Sequence, residues 1–150
     1  MAFIKLDTEI LNSTIWFDAD ACKVFITALL MAEPRNYKTP TEAINVNDLE
    51  ASGFVITPGW YGYVPASGPG LVARAMVDRA TGLDALVRLC GPEPESRTPL
   101  YEGRRMARVD GGYLVLNYDL YRSKDHGAAK RMAAYRERNK SKAAGVRNDA

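Results

Sequence analysis

Apolar and polar positions along this chain follow two periods, one of strands and one of helices. Residues 3–6 alternate like a short strand. Asp7 or Thr8 can cap a turn of helix, with Glu9 in the first turn, where a carboxylate suits the helix dipole. Ile10, Leu11, Ile15, Trp16 and Phe17 are expected to pack inward. Asp18 then caps a helix over about residues 19–32. Its Cys22, Phe25, Ile26, Leu29 and Leu30 recur at i, i+3, i+4, i+7 and i+8, the stripe of a core-facing helix. Pro34 ends it.

Residues 34–70 are the least regular part. Eight glycines and prolines between Gly53 and Gly70 mark loops and turns, so this stretch is expected to be an irregular insertion. Asn47 is placed to cap a short turn through Glu50 that stops at Gly53. Phe54-Val55-Ile56 is a candidate strand, and Trp60-Tyr61-Gly62-Tyr63-Val64 is aromatic and β-prone. Exposed aromatics there would stack on bases; the plainer reading is a flap folded back on the core.

Beyond this stretch the helical period returns. A helix is expected over about residues 69–77, with Leu71, Val72, Ala75 and Met76 inward. A second, capped by Thr81, runs over residues 82–89 with a Leu83, Leu86, Val87, Cys90 stripe, and Gly91-Pro92 ends it. Two short helices joined by about three residues have helix-turn-helix dimensions. After an irregular connector over 92–99 the period changes to two. Residues 104–109 and 113–118 flank Asp110-Gly111-Gly112, a strong hairpin signal because glycine supplies the positive φ of a tight turn. In that hairpin Met106 and Leu114 or Leu116 are expected to face the core and the arginines solvent. From Asp125 the tail reads as a helix. Met132 and Tyr135 are its only large apolar residues, so the tail is expected to fray in solution and firm up on a partner.

Charge sharpens this division. The net charge is +2, yet residues 1–121 hold 11 Lys/Arg against 15 Asp/Glu, while residues 122–150 hold 9 against 3. A basic tail on a mildly acidic body points to a polyanion contact in the tail; the plain alternative is a tail that keeps the protein soluble. Cys22 and Cys90 each lie in an apolar helical pattern without a C-x-x-C or a nearby histidine, which argues for buried reduced thiols and against a zinc site. No apolar run has the length of a membrane span, and residues 1–7 lack the charged and apolar regions of a signal peptide. A cytoplasmic location without membrane contact is the expectation.

Enzyme chemistry finds little support. His126 is the single histidine and sits at the start of a solvated helix, where capping or solvent contact suits it better than catalysis. No G-x-x-x-x-G-K-[ST] loop is present. Gly59-x-x-Gly62 and Gly68-x-Gly70 lack the strand and helix context of a dinucleotide site. Capping explains Asp18 and Asp20. Neither a cofactor nor a metal is expected.

Together the segments Glu95-Ser96-Arg97, Glu102-Gly103-Arg104-Arg105, Val109 to Tyr113, Leu116 to Arg122 and Tyr135-Arg136-Glu137-Arg138 resemble the winged-helix domains of phage and prophage replication-initiation proteins. Lys23 to Leu30 resembles their first core helix. The likeness covers residues 3–33 and 71–140. It implies an α+β winged helix-turn-helix fold over residues 1–121, interrupted by the 34–70 insertion and followed by a basic helical tail at 122–150. It implies a DNA-binding role in replication initiation or its regulation, with double-stranded DNA as partner. Winged helices place the second helix of the pair in the major groove and the wing on the backbone or minor groove. Here that helix is expected to expose Gly82, Asp84, Ala85 and Arg88, of which only Arg88 suits a bidentate contact to guanine. Arg97, Arg104, Arg105 and Arg108, with Arg122, Lys130, Arg131, Arg136, Arg138, Lys140 and Lys142, suit phosphate contact. A solvated strand face, pairing the hairpin arginines with Glu93, Glu95 and Glu102, is the plainer account of Arg97, Arg104, Arg105 and Arg108. An alternative function is a phage-encoded interaction module that binds a host replication or defence protein, or another phage protein. Many such domains form homodimers, but no heptad seam here is long enough to argue for one.

Overall fold

The computed structural model describes residues 6–44, 53–96, 100–118 and 135–140. Asp18 caps the first helix, α1 (Ala19–Met31), as its carboxylate accepts from the Ala21 N–H at 3.1 Å. Two short helices follow the strand region: α2 (Gly68–Arg74), capped by Ser67, and α3 (Arg79–Cys90). The cap of α3 is Asp78 rather than Thr81: its carboxylate accepts from the Thr81 N–H, so the helix begins three residues earlier than its apolar stripe suggests. α2 stops at Arg74, where Met76 takes a left-handed φ of 58°.

The strands are β1 (Glu33–Tyr37), β2 (Thr41–Ala43), β3 (Phe54–Ile56), β4 (Gly59–Val64), β5 (Met106–Val109) and β6 (Gly112–Val115). Four of them form an antiparallel sheet in the order β1-β4-β6-β5, and β2 pairs with β3 in a second, two-stranded sheet. The class is α+β, and the larger sheet has four strands. The expected hairpin is present. β5 and β6 are joined through Asp110-Gly111, with Val109 opposite Gly112 and Arg108 opposite Tyr113, and Gly111 takes a φ of 82°.

The insertion expected to be irregular holds four strands. β4 runs between β1 and β6, and the aromatic run 60–64 is therefore a sheet strand. Its Gly62 has no room for a side chain between Ala32 and Tyr118. The turn proposed at Asn47–Glu50 lies outside the described residues. So does the strand proposed at 3–6, apart from Leu6, which belongs to no strand.

Two cores flank the four-stranded sheet. On one face the helices pack through Phe25, Leu29, Leu71, Val72, Leu86 and Leu89 against Val64, Met106, Tyr113 and Val115. On the other, Ala43 and Ile56 of the small sheet cover Tyr61, Ala107, Val109, Leu114 and Leu116. A strand buried on both faces shows no polar alternation, which is why β6 is buried throughout. Leu114 and Leu116 thus face the second core, not the one beneath the helices.

Some inward expectations fail for local reasons. Residues 8–17 form two 3-10 turns broken at Ser13, so Ile10 and Ile15 are buried while Leu11, Trp16 and Phe17 are exposed. Leu30 is exposed at the far edge of the α1 stripe, and Met76 is exposed beyond the end of α2. Of the tail, residues 135–140 are helical and exposed; the remainder of the expected helix lies outside the described residues.

Candidate nucleic-acid interface

The arginines assigned to a contact surface separate into three environments. Arg105 is buried, only 7% exposed, which corrects its expected outward orientation. It precedes β5 at the junction with α3, and its backbone N–H donates to Leu89 O at 3.1 Å. Its guanidinium donates to Ser13 Oγ at 3.1 Å and to Thr14 Oγ1, and lies 3.9 Å from the Glu93 carboxylate. These partners fix it as an internal strut between the N-terminal turns and the base of the hairpin.

Arg104 is three-quarters buried. It donates to Cys90 O at 2.7 Å, satisfying a carbonyl at the C-terminus of α3, where a cation complements the helix dipole. The same guanidinium lies 5.0 Å from the Phe54 ring centroid and 3.6 Å from Glu102. A left-handed turn just before it, with φ of 53° at Tyr101, 58° at Glu102 and 78° at Gly103, aims the chain into β5. Gly103 has no space for a side chain there, because its Cβ would meet Glu93 O.

Arg88 is exposed but engaged. Its Nε donates to Asp18 Oδ2 at 2.7 Å and its Nη2 to Asp18 Oδ1 at 3.1 Å. This fork against a carboxylate holds Asp18 below the usual carboxylate range, against the opposing effect of desolvation, and raises Arg88. The pair ties α3 to the capped end of α1. It also leaves Arg88 with one uncommitted terminal nitrogen, which removes the free bidentate fork proposed for base reading.

The other exposed positions of α3 are also redistributed. Gly82 and Ala85 are buried, because the helix turns this side against α2: a Cβ on Gly82 would run into the Val72 side chain. Asp84 is exposed, as expected. Arg108 is exposed on β5, and among the described residues it joins no ion pair. Arg74 and Arg79, not singled out in the sequence, are exposed at the end of α2 and the start of α3. Arg136, Arg138 and Lys140 are exposed on the helical segment 135–140. Arg97, Arg122, Lys130, Arg131 and Lys142 lie outside the described residues, as does His126.

Cys22 and Cys90 are buried and free. Burial raises both thiols, Cys90 to about 12, so neither offers a thiolate near neutral pH. Among the described residues no group of His, Cys, Asp and Glu is arranged to hold a metal, and no helix is long and apolar enough to cross a membrane.

Comparison with known proteins adds no assignment: the chain matches no protein-family model, no curated protein and no solved structure at a significant level.

Proposed function

We propose that this protein binds duplex DNA through a winged-helix body and a basic tail, with contacts driven by charge and little base reading. The observation that carries the reading is topological. A helix pair, α2 and α3, lies between β4 and β5 in sequence, and the sheet runs β4-β6-β5, so a two-residue hairpin ends beside the helix pair. That is the order of a winged helix in which β5 and β6 form the wing. Arg108 on the hairpin and Arg74 and Arg79 on the helices supply exposed cations, and the tail adds Arg136, Arg138 and Lys140. The internal roles of Arg104 and Arg105 reduce the body's share, so on this reading most non-specific affinity comes from the tail. The resemblance to phage and prophage replication-initiation proteins supports a replication role for that binding.

The test is a titration of labelled duplex across salt. With about six phosphate contacts, affinity should fall roughly a thousandfold between low and physiological salt, because each contact releases condensed counterions. A flat response, or no binding at low salt, would overturn the reading.

One observation favours a second reading, a module that docks on another protein. Phe17 is 91% exposed beside the exposed Trp16 and Leu11, an apolar surface with no role in a charge-driven DNA contact. Replacing Phe17 with Ser would leave DNA binding intact and abolish capture of a protein partner.

A further inference from the structure

A cavity of about 500 Å³ opens between the end of the β5–β6 hairpin and the N-terminal turn of α2. Ile44 and Leu83 flank it, and Arg108 and Tyr113 reach it from adjacent strands. Arg108 and Tyr113 are direct cross-strand partners, so their side chains leave the same face of the hairpin as neighbours.

Tyr113 is the informative residue. The residue is only 4% exposed, while its hydroxyl is open to the cavity and makes no hydrogen bond among the described residues. A hydroxyl carried on a packed ring and open to a cavity is a fixed donor that can pair with whatever occupies the space. This one lines the cavity, and glycine at position 68 keeps the space beside it open: a Cβ there would lie 2.9 Å from the hydroxyl. Burial raises Tyr113 above the ordinary tyrosine value, followed by a further rise from Cys90 and an opposing effect of Arg108. The group is therefore a neutral donor at physiological pH. The remaining polar side chains of the lining are Ser67, committed to capping Gly70 N–H at 3.1 Å, and Asp110 at the hairpin tip.

We propose that this cleft seats a phosphate group, with the Tyr113 hydroxyl as neutral donor and the Arg108 guanidinium as the counter-charge. One cation beside one neutral donor suits an oxyanion, and the Ile44 and Leu83 side chains offer an apolar wall to the sugar that carries it. The phosphate belongs either to a duplex backbone or to a free phosphate compound. The proposal deepens the DNA reading and rests on it only for the backbone as source.

Three probes and three variants decide it. The full chain is titrated with a short duplex, and separately with inorganic phosphate and a nucleoside monophosphate, following the backbone amides of residues 67–70 and 111–113 by NMR. Tyr113→Phe keeps the packed ring and removes an unpaired hydroxyl, so it should melt like the parent. It should weaken duplex binding about tenfold, the loss of one hydrogen bond to a charged group, without altering the salt slope. Arg108→Gln should weaken binding and lower that slope by about one. Gly68→Ala should weaken binding by crowding the hydroxyl. If the duplex does not bind but free phosphate shifts these amides, and Tyr113→Phe abolishes the shift, the cleft stands and the DNA reading falls. If the duplex binds equally well to parent, Tyr113→Phe and Arg108→Gln, the cleft is not the seat, while the DNA reading survives. If no probe moves these amides, the proposal is overturned.

Discussion

Asp18 carries two duties, and they can be separated by substitution. Its carboxylate caps α1 through the Ala21 N–H and pairs with Arg88 of α3 through two hydrogen bonds. Asn caps a helix as well as Asp, so Asp18→Asn keeps the cap and loses the charge; Ala loses both. The side chains of Arg88 and Asp18 are 49% and 35% exposed, so the pair is worth about 1 kcal/mol, the upper end for an exposed ion pair and justified here by the fork geometry. The cap adds about 1 kcal/mol. Asp18→Asn should therefore cost about 1 kcal/mol and Asp18→Ala about 2 kcal/mol at neutral pH, read by urea denaturation. In a double-mutant cycle with Arg88→Ala, the Asn variant should recover a coupling of roughly 0.5–1 kcal/mol.

The pH dependence has a definite sign. The Arg88 hydrogen bond holds folded Asp18 below its ordinary value of 3.8. Its contribution is thus fully present above that value and is lost as pH falls through the lower, folded value. The stability gap between the parent and Asp18→Asn should be constant near neutrality and close in acid below pH 3.8. Equal stability of the Asn and Ala variants would refute the cap. A gap that persists or widens in acid would refute the pair. The pair also bears on function: Arg88→Ala should lower stability without changing the salt slope of DNA binding, because the Arg88 fork is committed to Asp18 and is not counted among the phosphate contacts.

Three further outcomes are expected. Arg105→Ala should destabilise the fold by about 2 kcal/mol, a buried charge network broken at one end but with Glu93 able to rehydrate, and denaturation midpoints would show it. Gly82→Ala gains about 1 kcal/mol of helix propensity, yet the contact with Val72 should make it a net loss of roughly 1–3 kcal/mol by the same measurement. Deleting residues 124–150 should leave a folded body with weaker DNA binding and a shallower salt slope, checked by a melt and a titration; failure to fold would show that the tail packs on the core.

Local signals were readable in the sequence, and long-range ones were not. The Asp18 cap and the Asp110-Gly111 turn depend on residues within three or four positions, and both appear where expected. Between Glu33 and Val64 the candidate strand 54–56 and the β-prone run 60–64 are β3 and β4, whereas β1 and β2 gave no strand signal. β1 is an exposed edge strand of polar residues around Pro34, and β2 is three residues long with one buried position, so neither shows an apolar alternation to read. Gly82 looked like an exposed gap in α3 because only the approach of Val72 reveals why glycine is there. The burial of Arg105 depends on Ser13 and Thr14, more than ninety residues away in sequence, and no local pattern reports it. Within the candidate site, Arg108 was legible as a hairpin cation. Tyr113 was not singled out, although the turn at Asp110-Gly111 sets a register that places it opposite Arg108.

The three neighbouring arginines show how position, not residue type, sets the role of a cation. Arg105 stands where the chain enters β5, its backbone tied to Leu89 near the end of α3, so its side chain is drawn between the N-terminal turns and the hairpin base. Arg104, one residue earlier, points to the carbonyl end of α3. Only Arg108 lies far enough along β5 to pass the helical layer and reach solvent at the mouth of the cleft. A one-residue slip of β5 against β6 would exchange the faces of Met106 and Ala107 and turn Arg108 toward the apolar cluster under β2 and β3. The buried anchors at Arg104 and Arg105 oppose such a slip, since both are hydrogen-bonded to parts of the chain outside the hairpin. Two charges are thus withdrawn from the surface to fix the strand that carries the third, and on the proposed reading this strand, not a set of mobile cations, would set where the phosphate sits.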